Sequence, residues 1–376
     1  MSFAATVALA TSDVGALAQP LRSLRTQVGR PGAGFVFLTG TISGELMAVA
    51  RSVATTWPGV PTLLATGAGV LTERGEYEGQ SAACALLIGN TTARAIWLEP
   101  QSPEELAPML ERALGESRPR ALSLFAEPHL LTPSALRPLP SGAPARTTFG
   151  GGVATSPGVA VITAEGSIER APAAAMAFGG SLAPHVAIFP ALRPIGPFRT
   201  VTKAQGGTVA RLDDEPALDA LAADAEGLTK RPQVYAFVTD EPEGGGAPAR
   251  QGRARPLRGV DPGKRSVVLS DDVNEGARLA FAVLDATTAR ANLEAGAREL
   301  SQRVAGAASR FGLYVNCASR GRGLYGAADV DVRTLRSRFP DTPFAGLLSS
   351  CELAPGTGGL DLHYFTGVFG LFTAPS

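Results

Sequence analysis

Short apolar runs bounded by glycine are the feature that most restricts how this chain can fold. The first clear run is Phe35–Leu38, between Gly34 and Gly40, and its length predicts a buried strand. Apolar residues then recur at three- and four-residue steps over 46–53, which predicts an amphipathic helix. Similar runs follow along the chain, which contains 44 glycines and 29 prolines in all. We therefore expect an α/β fold built from short elements.

The size and composition are those of a folded protein with more than one core. A chain of 376 residues exceeds the usual length of one domain, so two domains or one large bilobal unit are expected. Hydrophobic residues make up 45% of the chain and charged residues 18%, which is typical of globular proteins.

Charge and cysteine usage restrict the partners and the compartment. Lys+Arg and Asp+Glu both total 34, so no basic surface for nucleic acid or an anionic membrane is expected. No run of about 20 apolar residues appears, and residues 1–19 lack the basic start of a signal peptide. Cys84, Cys317 and Cys351 are odd in number and widely spaced, which argues against a disulfide framework. A cytoplasmic location is the expectation.

Several further elements can be predicted from local signals. Ser102 and Glu105 have the spacing of a capping box at a helix start. Apolar periodicity predicts a long helix over about 287–304, and the last third alternates strand, helix and strand, with strands at 312–315 and 344–349 and a helix at 330–338. Residues 241–254 are rich in glycine, proline and arginine, which predicts a mobile loop.

Three motifs near the C-terminus occur in a fixed order. Residues 316–326 read Asn-Cys-Ala-Ser-Arg-Gly-Arg-Gly-Leu-Tyr-Gly, and residues 343–355 read Pro-Phe-Ala-Gly-Leu-Leu-Ser-Ser-Cys-Glu-Leu-Ala-Pro. Residues 362–366 read Leu-His-Tyr-Phe-Thr. These segments resemble the Cys-x-x-Arg-Gly loop, the Gly-Glu-containing segment and the closing Leu-His-x-x-Thr of the FIST C domain. Upstream, Leu-Arg-Pro-Ile-Gly-Pro at 192–197 is similar to a stretch near the end of the FIST N domain.

The resemblance to the FIST family (F-box and intracellular signal transduction) covers nearly the whole chain, in the bacterial stand-alone form. It implies a FIST N-like domain at 33–212 and a FIST C-like domain at 213–376. The implied fold has two related lobes of mixed sheets with packed helices, and a ligand cleft between or beside them. Two departures stand out, because Leu192 and Cys351 replace a cysteine and a glycine that the family often has.

The function implied by the resemblance is sensory, and no enzymatic activity is expected. Such a protein would bind a small molecule, for which amino acids have been suggested, and would pass its state to a separate signalling protein. The cofactor is unknown. Some relatives bind haem, but the sequence does not indicate either His185 or His363 as a haem ligand. The wide spacing of the cysteines matches no compact zinc pattern.

The candidate ligand-binding residues come from the matched motifs. Paired guanidinium donors suit a carboxylate or phosphate, and a carboxylate at a strand end suits an ammonium group. The alternative for Arg320 and Arg322 is a solvated loop or an internal ion pair with Glu352 or Asp329. For Arg193 and Glu352 it is a structural ion pair between domains. The candidates are Arg193, Cys317, Arg320, Gly321, Arg322, Glu352, His363 and Thr366.

Two other function classes stay open from the sequence. Gly321, Gly323 and Gly326 satisfy Gly-x-Gly-x-x-Gly, which is the pattern of a dinucleotide-binding loop and would indicate an NAD-type enzyme. Against this, five residues separate the preceding strand from Gly321. A non-catalytic interaction scaffold is the third possibility.

Overall fold

The computed structural model describes residues 2–139, 146–154, 158–228, 232–239, 252–356 and 359–375. Contacts divide the chain into two compact units. Unit 1 comprises Met1–Ile188, Leu293–Leu362 and Thr366–Ser376, and unit 2 comprises Phe189–Asn292 and His363–Phe365. Most of the loop predicted at 241–254 lies outside the described residues.

Unit 1 repeats one order of elements: strand, helix, strand, helix and then four strands. The first copy consists of β1 Ala4–Ala10, α1 Ala18–Gln27, β2 Pro31–Thr39, α2 Leu46–Thr56, β3 Thr62–Thr66, β4 Gly69–Thr72, β5 Gly75–Glu78 and β6 Ala82–Gly89. The second consists of β7 Ala93–Leu98, α3 Pro103–Leu114, β8 Ala121–Ala126, α4 Pro133–Leu136, β9 Thr147–Gly152, β10 Val159–Ile162, β11 Ile168–Ala171 and β12 Ala173–Phe178. Short 3₁₀ turns at Gly15–Leu17, Gly40–Glu45 and Pro128–Leu130 join some of these elements.

The third copy begins with β13 Ala183–Pro190 and is then interrupted by unit 2. The elements of unit 2 are β14 Leu192–Pro194, β15 Arg199–Gln205, β16 Thr208–Leu212, β17 Glu215–Pro216, α5 Ala217–Ala225, β18 Val234–Thr239, β19 Arg253–Asp261, β20 Ser266–Leu269 and β21 Arg278–Leu284. Its strands form one eight-stranded antiparallel sheet over a core that includes Val201, Leu212 and Phe281. The ends of this insertion meet, because Asp285 N donates to Ala191 O over 3.0 Å.

The third copy then resumes in the same order as the other two, with one additional short helix. Its elements are α6 Ala286–Arg303, β22 Ser309–Cys317, α7 Arg322–Tyr325, α8 Val330–Arg338, β23 Phe344–Ser349, β24 Glu352–Gly356, β25 Gly359–His363 and β26 Thr366–Thr373. Here α7 is the addition, and α8 occupies the place that α2 and α4 have in the first two copies.

Each copy builds the centre of one six-stranded mixed sheet. The strand orders are β1-β6-β2-β3-β10-β11 in sheet I, β7-β12-β8-β9-β24-β25 in sheet II and β13-β26-β22-β23-β4-β5 in sheet III. The central pairs β2–β3, β8–β9 and β22–β23 are parallel. Each sheet is completed by a hairpin from another copy. The first copy contributes β4–β5 to sheet III, the third copy contributes β24–β25 to sheet II, and the second copy contributes β10–β11 to sheet I. The three sheets therefore form a closed cycle.

The inner faces of these sheets share one apolar core. Phe37 of sheet I, Phe125 of sheet II and Phe311 of sheet III belong to the same buried cluster. The alternate residues of β2, among them Val36, lie in a second cluster with the helices α1 and α2. Since both faces of β2 are buried, its sequence is a continuous apolar run, as predicted.

The mixed α/β class predicted from sequence is confirmed, and the repetition within unit 1 is threefold. The predicted helix 330–338 and strand 344–349 are observed with those bounds, and the long helix is observed at Ala286–Arg303. The predicted helix start is confirmed, with Ser102 at the N-cap position of Pro103–Leu114, but the expected capping bond of the Ser102 side chain is not made. The Glu105 carboxylate instead accepts a bond from Gln101 N, at 2.8 Å. No helix within the described ranges is long and apolar enough to cross a membrane.

Candidate ligand site

Strand register shows which residues occupy equivalent places in the three copies. The donated strands β4, β10 and β24 each lie antiparallel to the second strand of a central parallel pair. At equivalent register positions of the three sheets, Val70 is paired with Leu347, Val159 with Ala65, and Glu352 with Gly151. A glutamate thus stands where the other two copies have valine, on the face that lines the shared core.

Glu352 is fully buried and its carboxyl group is held by groups from three strand ends. Ser349 Oγ lies 2.8 Å from Oε1, and Thr366 N donates to Oε2 over 3.2 Å. Cys317, which lies beside Ser349 in the register of β22 and β23, makes a further side-chain hydrogen bond to this carboxyl. Burial raises the pKa of Glu352 to about 8 and outweighs these bonds and the charge of Arg320, which act in the opposite direction.

The Glu352 carboxyl lies at the carboxyl ends of two parallel strands. Cys317 and Ser349 are the last residues of the parallel strands β22 and β23, and Ala318 and Ser319, which follow Cys317, are exposed. The carboxyl ends of parallel strands are the usual position of ligand sites in α/β proteins. We call Cys317, Ser349, Glu352 and Thr366 the Glu352 site.

A buried ion pair holds the loop that follows Cys317. The Arg320 guanidinium is fully buried, with Nε 3.2 Å from Asp331 Oδ2 and Nη2 2.9 Å from the Tyr325 hydroxyl. The Tyr314 hydroxyl donates to the same Asp331 oxygen over 2.7 Å. Burial alone would lower the pKa of Arg320, but the Asp331 carboxylate raises it above its ordinary value. Arg320 is therefore part of an internal ion pair. Its partner is Asp331, and not Glu352 or Asp329, which were the two acids considered from sequence.

The hairpin β4–β5 contacts the same loop through two carboxyl groups. Glu76 N donates to Asp329 Oδ1 over 2.7 Å, and Asp329 N donates back to Glu76 Oε2 over 2.9 Å. Both carboxylate oxygens of Glu78 lie 3.0 Å from Arg322 N. Burial, reinforced by Asp331, raises the pKa of Glu76 to about 8. We call these contacts between the hairpin and the loop the hairpin clasp.

The hairpin clasp bears directly on the dinucleotide alternative. A dinucleotide loop uses free backbone amides at the start of a long helix to bind pyrophosphate. Here the helix after Gly321 has four residues, and the Glu78 carboxylate already occupies the Arg322 amide. A phosphate would meet a negative group at this position, so the geometry disfavours dinucleotide binding. The Arg322 residue itself is exposed.

Arg193 and His363 lie in unit 2. Arg193 is in β14, and its Nε lies 3.4 Å from Asp285 Oδ2 with the side chain about half exposed. His363 is the last residue of β25 and is buried.

The structure brings together three of the eight predicted residues, Cys317, Glu352 and Thr366, and places Arg320, Gly321 and Arg322 in the loop after Cys317. Sequence reasoning missed Ser349, although it ends a correctly predicted strand three residues before Glu352. It also missed Asp331, the partner of Arg320. Within the described part of the chain, no group of three or more His, Cys, Asp or Glu side chains is arranged to hold a metal ion.

Comparison with models of protein families identifies the family to which these motifs belong. The family model of the FIST N domain matches residues 32–215, and that of the FIST C domain matches residues 217–355. The chain therefore belongs to the FIST family, as the motifs predicted. FIST domains are associated with sensing in signal transduction.

Three relatives from mycobacteria are similar to part of the chain. Uncharacterized proteins of Mycobacterium bovis and of Mycobacterium tuberculosis strain CDC 1551 are each 34% identical over 192 residues. An uncharacterized protein of Mycobacterium tuberculosis strain H37Rv is 33% identical over 193 residues. Each match covers 48% of this chain and 48% of the relative, so the chain spans about half the length of these curated relatives.

The family matches and the contact units divide the chain differently. The two matches meet between residues 215 and 217, inside unit 2, which extends over Phe189–Asn292. The domains at 33–212 and 213–376 stay a prediction.

Proposed function

We propose that this chain is a small-ligand sensory protein and that its ligand binds at the Glu352 site. The observation that supports the proposal is the replacement of an equivalent valine by a buried glutamate at one of three matching places. Burying a carboxyl group costs free energy, and Val70 and Val159 indicate that the fold itself is served by an apolar side chain there. Buried groups with a strongly shifted pKa concentrate at functional sites.

In this proposal, ligand binding changes the loop after Cys317. Only Ala318 and Ser319 lie between Cys317 of the Glu352 site and Arg320 of the buried ion pair, and the hairpin clasp holds the far end of the same loop. A ligand that contacts Cys317 would favour one arrangement of this loop, and a separate signalling protein would bind that arrangement preferentially. The ligand itself is bound and is not chemically converted. Cys84, Cys317 and Cys351 are buried and are not joined in disulfides, which favours a reducing compartment, so we propose that the protein is cytoplasmic.

A thermal-shift screen against amines, amino acids, haem and NAD tests the proposal, because a ligand of the folded state raises the melting temperature. The matched variants are Cys317→Ala, at the site, and Cys84→Ala, which removes another buried thiol whose sulfur faces Gly346 O at 3.6 Å. We expect Cys84→Ala to keep the shift that a binding compound produces. Cys317→Ala and Glu352→Gln should lose most of it.

Two results would count against the proposed site. One is a compound that stabilises Glu352→Gln and the unmodified protein equally. The other is stabilisation by NAD alone, which would favour the enzyme alternative.

A further inference from the structure

The Ser349 hydroxyl has two acceptors within reach and one proton to donate. Its Oγ lies 3.0 Å from Asn316 O and 2.8 Å from Glu352 Oε1. If Glu352 is ionised, both oxygens compete for that proton. If Glu352 is protonated, it donates to Ser349 Oγ, and Ser349 in turn donates to Asn316 O. Only the protonated state gives a complete chain of hydrogen bonds, with Oε2 still free to accept from Thr366 N.

The charges around Glu352 agree with a neutral carboxyl in this structure. Arg320 is the positive group that acts on it, and its guanidinium is already paired with Asp331. Two further titratable groups near it are the thiols of Cys317 and Cys351, and burial raises the pKa of Cys351 to about 12. His363 ends the neighbouring strand β25. Since the Arg320 guanidinium is paired with Asp331, an ionised Glu352 could offer its carboxylate oxygens to a positively charged ligand.

We propose that the Glu352 site takes a ligand bearing a positively charged nitrogen, an ammonium or an amidinium, and that binding releases the Glu352 proton to solvent. This inference rests on the proposed function. The ligand arrives already protonated, the carboxyl O–H bond breaks, and the carboxylate pairs with the cation, so charge and protons balance. The Ser349 hydroxyl then turns from Asn316 O to Glu352. That turn breaks a bond to the last residue before Cys317 and thus acts on the start of the loop.

Proton release predicts the direction of the pH dependence. Below the pKa of free Glu352, about 8, the proton must be displaced, so affinity for a cation rises by up to tenfold per pH unit. Above that pKa the affinity should level off. A neutral or anionic ligand would show no such rise.

Infrared difference spectroscopy follows the proton itself. A protonated carboxyl has its own C=O stretching band, and subtracting the Glu352→Gln spectrum isolates the Glu352 contribution. We expect that band at pH 6 and its loss as the pH rises through about 8. Saturating methylammonium or guanidinium, added at millimolar concentration at pH 7, should also remove it.

Glu76→Gln is the matched control, because burial raises the pKa of Glu76 to about 8 as well. It should keep a band that responds to the cationic probes, whereas Glu352→Gln should lack it. Calorimetry in two buffers of different ionisation enthalpy should show release of close to one proton on binding at pH 7.

The possible failures can be told apart. Absence of the band at pH 6, or a band indifferent to every cationic probe, would overturn this inference. If the screen instead yields a neutral or anionic ligand that needs Glu352, the inference fails and the proposed function stands. If no ligand depends on Glu352, both fail.

Discussion

Two carboxyl groups, the fully buried Glu352 and the partly buried Glu76, have pKa values raised to about 8 for the same reason and in different settings. Burial is the largest cause for both. Glu352 lies among a hydroxyl, a thiol and a backbone amide, whereas Glu76 faces the acidic residues Asp329 and Asp331. Each is therefore neutral in the folded protein over a pH range where it is ionised in the unfolded chain.

This difference predicts how stability depends on pH. The ordinary pKa of a glutamate is 4.5, so between pH 4.5 and about 8 the folded state binds more protons than the unfolded state. The free energy of unfolding should therefore fall as the pH rises through this window. Urea unfolding from pH 5 to 9 measures the slope, which Glu352→Gln and Glu76→Gln should each flatten.

Glu116→Gln, at an exposed position, is the control for those pH series. It should leave the slope unchanged. A Glu352→Gln profile parallel to that of the unmodified protein would show that this carboxyl is ionised in the fold.

The Arg320–Asp331 pair is a second residue-scale test. Arg320→Met would leave the buried Asp331 carboxylate without its ion-pair partner, which typically costs about 3–5 kcal/mol of unfolding free energy. Adding Asp331→Leu removes the orphaned charge and should recover much of the loss. Arg322→Met, two residues on and exposed, should change the free energy little. A loss below about 1 kcal/mol for Arg320→Met would mean that the pair contributes little to holding the loop.

At the scale of elements, the hairpin clasp joins β4–β5 to a loop far away in sequence. Glu78→Gln replaces a charged acceptor at the Arg322 amide by a neutral one. Because hydrogen bonds to charged groups contribute about 1.5–3 kcal/mol, exchange of that amide with solvent should accelerate about tenfold or more. Amides of α8 serve as the internal control and should exchange at unchanged rates. Unaltered exchange at Arg322 would show that the loop is held by other contacts.

The elements also show where sequence reasoning succeeds and where it stops. Helix 330–338 and strand 344–349 were predicted because periodicity and glycine punctuation are local signals. β1 and α1 were missed, since Ala4–Ala10 consists largely of alanine and carries little strand signal. Pairing of β4 with β23 joins residues 69–72 to residues 345–348, and no local pattern encodes such a contact.

The same limit applies to the candidate site. Cys317, Glu352 and Thr366 were predicted as site residues because they belong to motifs shared with a family, not because of any local pattern. That Glu352 is exceptional becomes visible only when the register places it beside Val70 and Val159 as equivalents. The partner of Arg320 was wrongly sought in Asp329 or Glu352, because the direction of a side chain in a loop depends on tertiary packing.

At the scale of the whole molecule, the chain order indicates that unit 2 is an insertion into a threefold arrangement. In the first two copies, residues 11–17 and 99–102 are enough to connect the first strand to the first helix. The third copy uses unit 2 there, and the ends of the insertion are hydrogen bonded to each other. Replacing 191–285 by a short glycine-serine linker should therefore leave a chain that unfolds cooperatively, with the mixed helix and strand signal in circular dichroism. Non-cooperative unfolding would mean that unit 1 depends on the insertion to fold.

The exchanged hairpins mean that no copy is a complete building block. A peptide of residues 93–178 would carry β10–β11 without the sheet that receives it, and its own sheet would lack the hairpin that β24–β25 supplies. Three such peptides could satisfy one another in a ring, each giving a hairpin forward and receiving one from behind. The single chain thus has the connectivity of a fused trimer. In a symmetric ancestor of that kind the positions of Val70, Val159 and Glu352 would have been alike, and the glutamate at one of them would record the step at which the copies ceased to be interchangeable.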